Sequence, residues 1–450
     1  MALQVKNYQE LDGALKGRVI TPEHPEYDQA RKLWNAMIDK HPAVIARVKT
    51  TDDVVQAVRY ARDNELQISV RGGGHNVAGF AVADQGLVID FSEMKEIIID
   101  PEARMARAQP GPKLGELVQA AEAYGLGTVV GTVSDTGLSG LALGGGWGWL
   151  SSKYGLTADN IVRYEMVTVD GDVLHVSADE HPDLFWALKG GGGNFGIVTG
   201  FEIKLHPVGQ MLAGLVAYPL PAAPDVLRFF REFAAEAPDE LGLGAAMLTS
   251  PAGPAIGVAL VYFGDDLARG EEILKPMREF GQPIMDMVAP IPYSQVATMI
   301  DDAAPIGIRD YWKSDYVAAL EDDLIADVYE AFTRVPSPQT AILMLCAHGE
   351  VTRLPSDATA FPHRGNAFDM VVSTGWLDAA DDEANIAWAK ELGAKINKRS
   401  IGVYVNTMGS EGEGRIRAAY GANFDRLVAA KNKYDPDNVL RLNQNIKPTV

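Results

Sequence analysis

The sequence has a single cysteine, Cys346, among its 450 residues. One cysteine cannot form a disulfide within the chain, so a fold that depends on a disulfide framework is excluded. Cys346 lies in the apolar run TAILMLCAHG, and a thiol in such a run is more typical of a small core residue than of a nucleophile. Cysteine usage therefore gives no sign of an oxidising compartment.

Basic residues are scarce as well. The chain has 40 lysines and arginines against 60 aspartates and glutamates, which gives a formal net charge of −20. Nucleic acids and anionic lipid surfaces repel such a chain, so we expect neither nucleic acid nor a membrane as a partner. Solubility alone is a sufficient explanation of the acidity.

Long apolar runs are also missing. No stretch reaches the about 18 uninterrupted apolar residues that suggest a membrane span. The N-terminal sequence MALQVKNYQELDGALKG lacks the basic start and the apolar stretch of a signal peptide. Both absences predict a cytoplasmic protein.

Strand, helix and glycine-loop patterns alternate over residues 43–206. AVIARVK, QISVR, GLVIDFS and GIVTGFEIKLHPV have strand character, whereas DDVVQAVRYARDNEL and KLGELVQAAEAYGL have helical spacing. We expect Thr51 to cap the first of these helices and Asp170-Gly171 to form the turn of a hairpin. Strands that alternate with helices and glycine loops are typical of an α/β nucleotide-binding domain.

The pattern changes after Pro207, where the glycine clusters stop and longer strand and helix signals follow. This change predicts a first domain over residues 1–206 and a second over residues 207–400. Residues 401–450 form a C-terminal segment with a helix, a turn and a polar tail.

One glycine cluster has a misleading pattern. GGGNFG, residues 191–196, matches GxGxxG, but the strand-like IVTGFEIKL follows it. A dinucleotide fingerprint of that kind needs a strand before it and a helix after it, because the helix N-terminus holds the pyrophosphate. We therefore exclude a Rossmann site there.

Two other clusters are better candidates for a ligand. SVRGGGHNVAG, residues 69–79, follows a strand, and GLSGLALGGGWGWLSSKYG, residues 137–155, again exposes main chain. Glycines let backbone amides curl around an anion, so two such loops suit a ligand with two phosphates. A pair of tight turns would have the same composition. His75 favours the ligand, because no Cys or His lies at metal-ligand spacing nearby and the imidazole is free to meet what the glycines hold.

Four segments in this order resemble the FAD-linked oxidases of the berberine bridge enzyme and 6-hydroxy-D-nicotine oxidase group, within the vanillyl-alcohol oxidase superfamily. They are SVRGGGHNVAG, GLSGLALGGGWGWLSSKYGLTADNI, DLFWALKGGGGNFGIVT and KYDPDNVLRLNQNI. The resemblance is strong over about residues 40–206 and 400–450 and holds only in outline between them.

The resemblance implies an α+β flavoprotein with an FAD-binding α/β domain and a substrate domain whose antiparallel sheet is covered by helices. The C-terminal segment would return to the FAD-binding domain. His75 would be joined covalently to the 8α carbon of FAD, with non-covalent FAD as the alternative. The flavin would take a hydride from a small organic substrate, an alcohol, amine or phenolic, and molecular oxygen would reoxidise it to give hydrogen peroxide. A dehydrogenase that uses another acceptor, or a flavin-binding protein without turnover, remains the alternative function.

The resemblance also implies further cofactor contacts, although each of these residues could instead support the fold. Thr136 matches a position that gates oxygen, and Val133 stands where plant members carry a second, cysteinyl tether, so one covalent bond is expected. The matching residues are Arg71, Gly72, Gly73, Gly74, Asn76 and Gly79; Gly131, Gly137, Gly140, Gly145, Gly148, Asp159, Asn160 and Ile161; Gly191, Gly193, Asn194, Gly196 and Val198; and Asn443, Gln444 and Asn445.

The catalytic base is open. YVNT, which ends at Thr407, is similar to a YxNY motif of the group, but threonine replaces the second tyrosine, the usual base. On a strand, the tyrosine and asparagine of YVNT would share one face. Tyr311, in RDYWKSDY, could be a substrate wall or a packed strand residue. His348, in CAHGE, could face solvent. The candidates are Tyr404, Asn406, Tyr311, His348 and Trp376.

Overall fold

The computed structural model describes residues 8–251 and 253–450. The strands of the first 207 residues are β1 (Arg18–Ile20), β2 (Val44–Arg47), β3 (Ile68–Arg71), β4 (Leu87–Asp90), β5 (Ile97–Asp100), β6 (Met105–Ala108), β7 (Leu126–Gly127), β8 (Ile161–Val167), β9 (Val173–Ser177), β10 (Ile197–Lys204) and β11 (His206–Pro207). The helices there are α1 (Tyr8–Ala14), α2 (Tyr27–Ala30), α3 (Thr51–Asp63), α4 (Leu114–Glu122), α5 (Leu138–Leu143), α6 (Ser151–Tyr154) and α7 (Pro182–Leu188).

These strands form two main sheets. The first has the order β1-β2-β4-β3, with β2, β4 and β3 parallel, and the second is antiparallel with the order β5-β6-β10-β8-β9. The hairpin predicted around Asp170-Gly171 is confirmed, because β8 pairs with β9 across it. The predicted cap is off by one residue. Thr50 has extended backbone and its hydroxyl accepts the backbone N–H of Asp53, whereas Thr51 is already helical.

One antiparallel sheet dominates the second part. Its order is β15-β12-β14-β13-β18-β19-β17-β20, and β16 also pairs with β12. The strands are β12 (Met211–Pro219), β13 (Leu241–Ser250), β14 (Gly253–Tyr262), β15 (Met285–Asp286), β16 (Ala289–Ile291), β17 (Arg309–Val317), β18 (Ala341–Ala347), β19 (Ala367–Trp376) and β20 (Ser400–Gly402). The helices are α8 (Ala223–Ala235), α9 (Leu267–Glu279), α10 (Tyr293–Thr298), α11 (Asp322–Phe332), α12 (Glu350–Arg353), α13 (Asp382–Asn397), α14 (Glu413–Tyr420) and α15 (Phe424–Tyr434).

The two faces of this large sheet have different neighbours, because successive strand residues point to opposite sides. Val317, Phe368 and Met370 belong to a core shared with α8, α11 and α13. Tyr316 and Ala367, one position away, belong to the core of the first part of the chain. The α+β architecture with a helix-covered antiparallel sheet is therefore confirmed, while the exact domain boundaries stay a prediction.

The C-terminal segment packs on the first part of the chain through a buried ion pair. Lys431 and Asp435 are both fully buried, and their Nζ and Oδ2 atoms lie 2.6 Å apart. The ammonium also donates to the carbonyls of Asn194 and Leu440, and the carboxylate accepts the backbone N–H of Leu440. The KYDPDN turn thus anchors the C-terminal segment to the glycine cluster GGGNFG, which contains Asn194. Among the described residues, none of the helices is both long and apolar enough for a bilayer span.

Candidate active site

A large cavity lies between the glycine loops and the face of the large sheet that its helices do not cover. Its walls come from the loop after β3, the segment that leads into α5, the loop before β10, the sheet and the C-terminal segment. The lining residues include Gly72, Gly73, Gly74, His75, Asn76, Gly131, Val133, Thr136, Gly137, Gly140, Gly193, Asn194, Gly196, Val198, Trp312, Leu345, Asp369, Tyr404, Asn406, Thr407, Asn443 and Gln444. Most of the predicted cofactor residues therefore meet in one place.

The first two glycine loops touch each other backbone to backbone. A Cβ built on Gly73 would lie 2.3 Å from the backbone N of Gly137, and one built on Gly137 would lie 2.2 Å from the N of Gly73. Gly74 has a φ of +72°, which disfavours any side chain. No lysine or arginine lines the cavity in the part of the chain that the structure describes. Backbone amides and uncharged side chains such as Thr136 and Ser139 are therefore the donors available to a pyrophosphate.

The C-terminal wall presents an unused acceptor. The side-chain amide of Asn443 donates to the carbonyl of Gly193, but its buried Oδ1 has no hydrogen-bond partner among the described residues. A buried acceptor without a partner is costly, so a donor from a ligand would satisfy it. These groups fit FAD. The glycine amides can bind its phosphates, and the Asn443 amide oxygen can accept a hydrogen bond from the polar edge of its ring.

His75 lies on this cavity in a fixed orientation. Its Nε2 is 3.2 Å from Oδ2 of Asp135, and its ring stacks on Trp34 with ring centroids 5.2 Å apart. Among the described residues, no group of three or more His, Cys, Asp or Glu is placed to hold a metal ion. The imidazole and the Asp135 carboxylate therefore form a hydrogen-bonded pair beside the glycine loop.

Several predicted cofactor residues are not on the cavity and support its walls instead. The guanidinium of Arg71 donates to the carbonyl of Ala30, and the Asn160 amide donates to backbone carbonyls of the preceding turn. A Cβ on Gly148 would lie 1.6 Å from a carbonyl oxygen, so this glycine permits close packing. The residues outside the lining are Arg71, Gly79, Gly145, Gly148, Asp159, Asn160, Ile161, Gly191 and Asn445.

Tyr404 and Asn406 meet at the cavity, although not on a strand. β20 ends at Gly402, and residues 405–407 form a turn of 3-10 helix that brings the two side chains together. The Tyr404 hydroxyl oxygen accepts the backbone N–H of Gly146 at 2.8 Å and Nδ2 of Asn406 at 2.9 Å. The prediction of a shared strand face is wrong, but the predicted proximity is confirmed.

The protonation of Tyr404 follows from its burial. The residue is 5% exposed. Burial, opposed by the two hydrogen bonds, raises the pKa of the Tyr404 phenol to about 12. With that pKa the phenol keeps its proton at neutral pH. Both bonds use the oxygen as acceptor, so the proton remains available for donation. This environment suits a hydrogen-bond donor rather than a base.

Three predicted catalytic candidates lie outside the cavity. Tyr311 points to the helix-covered face and packs on the core there, while its neighbour Trp312 lines the cavity. His348 is buried, its Nε2 lies 2.9 Å from the carbonyl oxygen of Leu241, and burial lowers its pKa. The Trp376 indole donates to a carboxylate of α13. Strand alternation and burial therefore correct these three assignments.

Asp369 is the acidic residue that the sequence reasoning missed. It lines the cavity from β19, directly opposite Leu345 on β18 and Tyr316 on β17. It is 5% exposed, and its Oδ1 has no hydrogen-bond partner among the described residues. Burial, together with the charge of Asp315, raises the pKa of the Asp369 carboxyl to about 7. A lone aspartate inside the strand AFDMVVSTGW was the available signal.

Cys346 cannot reach the cavity. It lies on β18 beside Leu345 but points to the opposite face, into the helix-covered core. Burial raises the pKa of its thiol to about 12, so it stays protonated. Val133, which stands where plant members carry a second, cysteinyl tether, does line the cavity.

Comparison with known proteins agrees with this geometry. Residues 42–177 match the family described as FAD binding domain, and residues 403–447 match the family Berberine and berberine like. An FAD-linked oxidoreductase of Dictyostelium discoideum is 32% identical over 99% of this chain and 98% of its own length. (R)-6-hydroxynicotine oxidase of Paenarthrobacter nicotinovorans is 32% identical over 97% of each chain.

Solved structures give the same result. The crystal structure of 6-hydroxy-D-nicotine oxidase from Arthrobacter nicotinovorans superposes with a TM-score of 0.88 at 30% identity, over 96% of this chain and 98% of that one. A chitooligosaccharide oxidase, at 24% identity and a TM-score of 0.86, covers 99% of this chain and 100% of its own and shares the fold. The chain therefore belongs to the FAD-linked oxidoreductases of the berberine bridge enzyme and 6-hydroxynicotine oxidase group.

Proposed function

We propose that the protein is an FAD-dependent oxidase for a small organic substrate, an alcohol, amine or phenolic, with FAD linked covalently to His75 alone. Molecular oxygen reoxidises the flavin and is reduced to hydrogen peroxide. The observation that carries the proposal is one cavity that places His75 and two glycine loops opposite Asp369 and Tyr404. FAD, when bound, supplies a ring that accepts a hydride from a substrate C–H bond.

Asp369 is the proton acceptor in this proposal. Oxidation of an alcohol, phenol or amine requires loss of a proton from the O–H or N–H group as the hydride leaves. A carboxyl with a pKa of about 7 is partly ionised at neutral pH and is well matched to accept that proton. Its unpartnered Oδ1 is available to the substrate.

Tyr404 orients the substrate. Its hydroxyl oxygen is saturated with donors from Gly146 and Asn406, so its own proton is directed to a third group. The second amide proton of Asn406 goes to the carbonyl of Leu141. Tyr404 thus donates a hydrogen bond to a substrate oxygen or nitrogen, and Asn406 holds the phenol in place.

The covalent link is tested first. We expect purified protein to be yellow and its colour to stay in the pellet after acid precipitation, with flavin on the His75 peptide by mass spectrometry. His75→Ala should bind FAD that acid releases completely. Flavin found wholly in the wild-type supernatant, or attached to the Cys346 peptide, would contradict the proposal.

Oxygen use is tested with a substrate that bleaches the flavin anaerobically. Admission of air should restore the oxidised spectrum and yield hydrogen peroxide in equal amount to the oxidised substrate. Rapid dye reduction with slow peroxide formation would identify a dehydrogenase instead. A flavin that no compound in a panel of alcohols, amines and phenolics bleaches would show a binding protein without turnover.

Tyr404→Phe should slow flavin reduction by about a hundredfold to a thousandfold, because it removes one hydrogen-bond donor from the reacting group. The flavin spectrum should stay unchanged. Thr407→Val is the matched control, because the Thr407 hydroxyl is engaged with Ser314 and the backbone carbonyl of Tyr404. Stopped-flow reduction measures both. Equal effects of the two substitutions would remove Tyr404 from the mechanism.

A further inference from the structure

Two charged side chains, Asp135 and Lys113, lead away from His75. Oδ2 of Asp135 lies 3.2 Å from Nε2 of His75, and Oδ1 of the same carboxylate lies 3.3 Å from Nζ of Lys113. The ammonium of Lys113 also donates to the carbonyls of Asp135 and Gly73. Lys113 therefore ties the loop that carries Asp135 to the loop that carries His75.

This arrangement selects one tautomer of the imidazole. The hydrogen bond to His75, aided by the charge of Lys113 and opposed by burial, lowers the pKa of the Asp135 carboxyl. An ionised carboxylate only accepts hydrogen bonds, so the proton of the neutral imidazole sits on Nε2. Nδ1 is then left with a free lone pair. The stack on Trp34 restricts rotation of the ring that would exchange the two nitrogens.

We propose that Asp135 is a positioning residue for covalent attachment of FAD: it holds the proton on Nε2 of His75 and so makes Nδ1 the atom that bonds to the cofactor. This inference rests on the proposed link at His75. As Nδ1 forms its bond, positive charge develops on the imidazole. Asp135 stabilises that charge and stays ionised, in the way that the carboxylate of a catalytic triad orients and supports its histidine.

The attachment balances in atoms and electrons with molecular oxygen as the oxidant. A bond forms between Nδ1 and the 8α carbon of FAD, while one C–H bond of the 8α methyl group and one N–H bond of the imidazole break. The flavin ring would hold the two electrons and the two protons from these bonds, the Nε2 proton included. Oxygen then takes them as hydrogen peroxide, which restores the oxidised cofactor with the new C–N bond in place.

The test compares full-length wild type, Asp135→Asn and Asp301→Asn, expressed alike and then incubated in air with added FAD. Asp301 is the matched control, because it holds the same loop through the backbone N–H and hydroxyl of Ser134 without a contact to His75. The readout is the fraction of bound flavin that survives acid precipitation against time. Asparagine can donate its own N–H to Nε2 and favour the other tautomer, so Asp135→Asn should slow attachment by at least about a hundredfold.

Non-covalent FAD binding by Asp135→Asn should stay as in wild type, and Asp301→Asn should attach flavin at the wild-type rate. Equal rates for wild type and Asp135→Asn, or an equal loss in both variants, would overturn the positioning role while leaving the His75 link intact. A second measurement needs no variant. The histidyl-flavin released from wild type by proteolysis should be the Nδ1 isomer by NMR, and the Nε2 isomer would overturn the inference.

Discussion

Asp369→Asn should slow reduction of the flavin by substrate by about a hundredfold to ten-thousandfold, because it removes the general base while it preserves the size of the side chain. The cavity, the Tyr404 hydrogen bonds and the flavin spectrum should be unchanged. Stopped-flow reduction under anaerobic conditions measures the effect directly, without the oxygen step.

The same carboxyl predicts the pH dependence of wild type. A base acts in its ionised form, so the reduction rate should rise as the pH increases through about 7, the pKa of Asp369, and level off above it. In Asp369→Asn that rise should be absent. A wild-type rate that falls over this interval would contradict the assignment.

Asp310→Asn is the matched control for this experiment. Asp310 is a second buried carboxyl on the same sheet, and burial also raises its pKa to about 7. It accepts the indole N–H of Trp312 but does not line the cavity. Its substitution should leave both the rate and the pH profile close to those of wild type. If Asp369→Asn and Asp310→Asn slow flavin reduction equally, the loss of a buried carboxyl, rather than the loss of proton transfer, explains the slower rate.

Lys431→Met should lower the free energy of unfolding by about 3–5 kcal/mol, because it leaves the carboxylate of Asp435 buried without its counter-ion. Urea unfolding of the FAD-bound protein measures the loss. The pair itself adds little net stability over apolar residues, so the penalty comes from the charge that stays behind. Lys431→Met combined with Asp435→Asn should recover part of the loss, since asparagine is neutral and can still accept the Leu440 amide.

Lys433→Met provides the control on the same helix. Its ammonium lies 2.7 Å from Asp183, but its side chain is 57% exposed. Exposed pairs contribute about 0–1 kcal/mol, so this substitution should have little effect on unfolding. Similar losses of unfolding free energy for Lys431→Met and Lys433→Met would show that burial of the ion pair does not determine the cost of removing the lysine.

The glycine loops could be predicted from the sequence because their information is local. Gly73 and Gly137 lack a side chain because each approaches the backbone of the other. The rejection of GGGNFG as a Rossmann site is likewise confirmed, since α7 precedes it and β10 follows it. Those glycines still reach the cavity, through Gly193 and Gly196.

The catalytic wall could not be predicted in the same way, because it depends on which face each strand presents. Tyr311 and Trp312 are neighbours on β17, and a shift of one residue exchanges the cavity face for the helix face. Asp369 looks like one polar position in an apolar strand until the pairing with β18 and β17 is known. Such pairings join residues far apart in the sequence, so no short segment contains them.

The hydrogen bond from Lys431 to the carbonyl of Asn194 spans 237 residues of sequence. During synthesis, the glycine segments leave the ribosome long before the residues that seal them, and contacts of this range form late. The nascent chain therefore carries an incomplete binding site until its last residues have been made. We expect FAD capture to follow translation, so cells short of the cofactor should accumulate complete but unloaded chains rather than stalled ones.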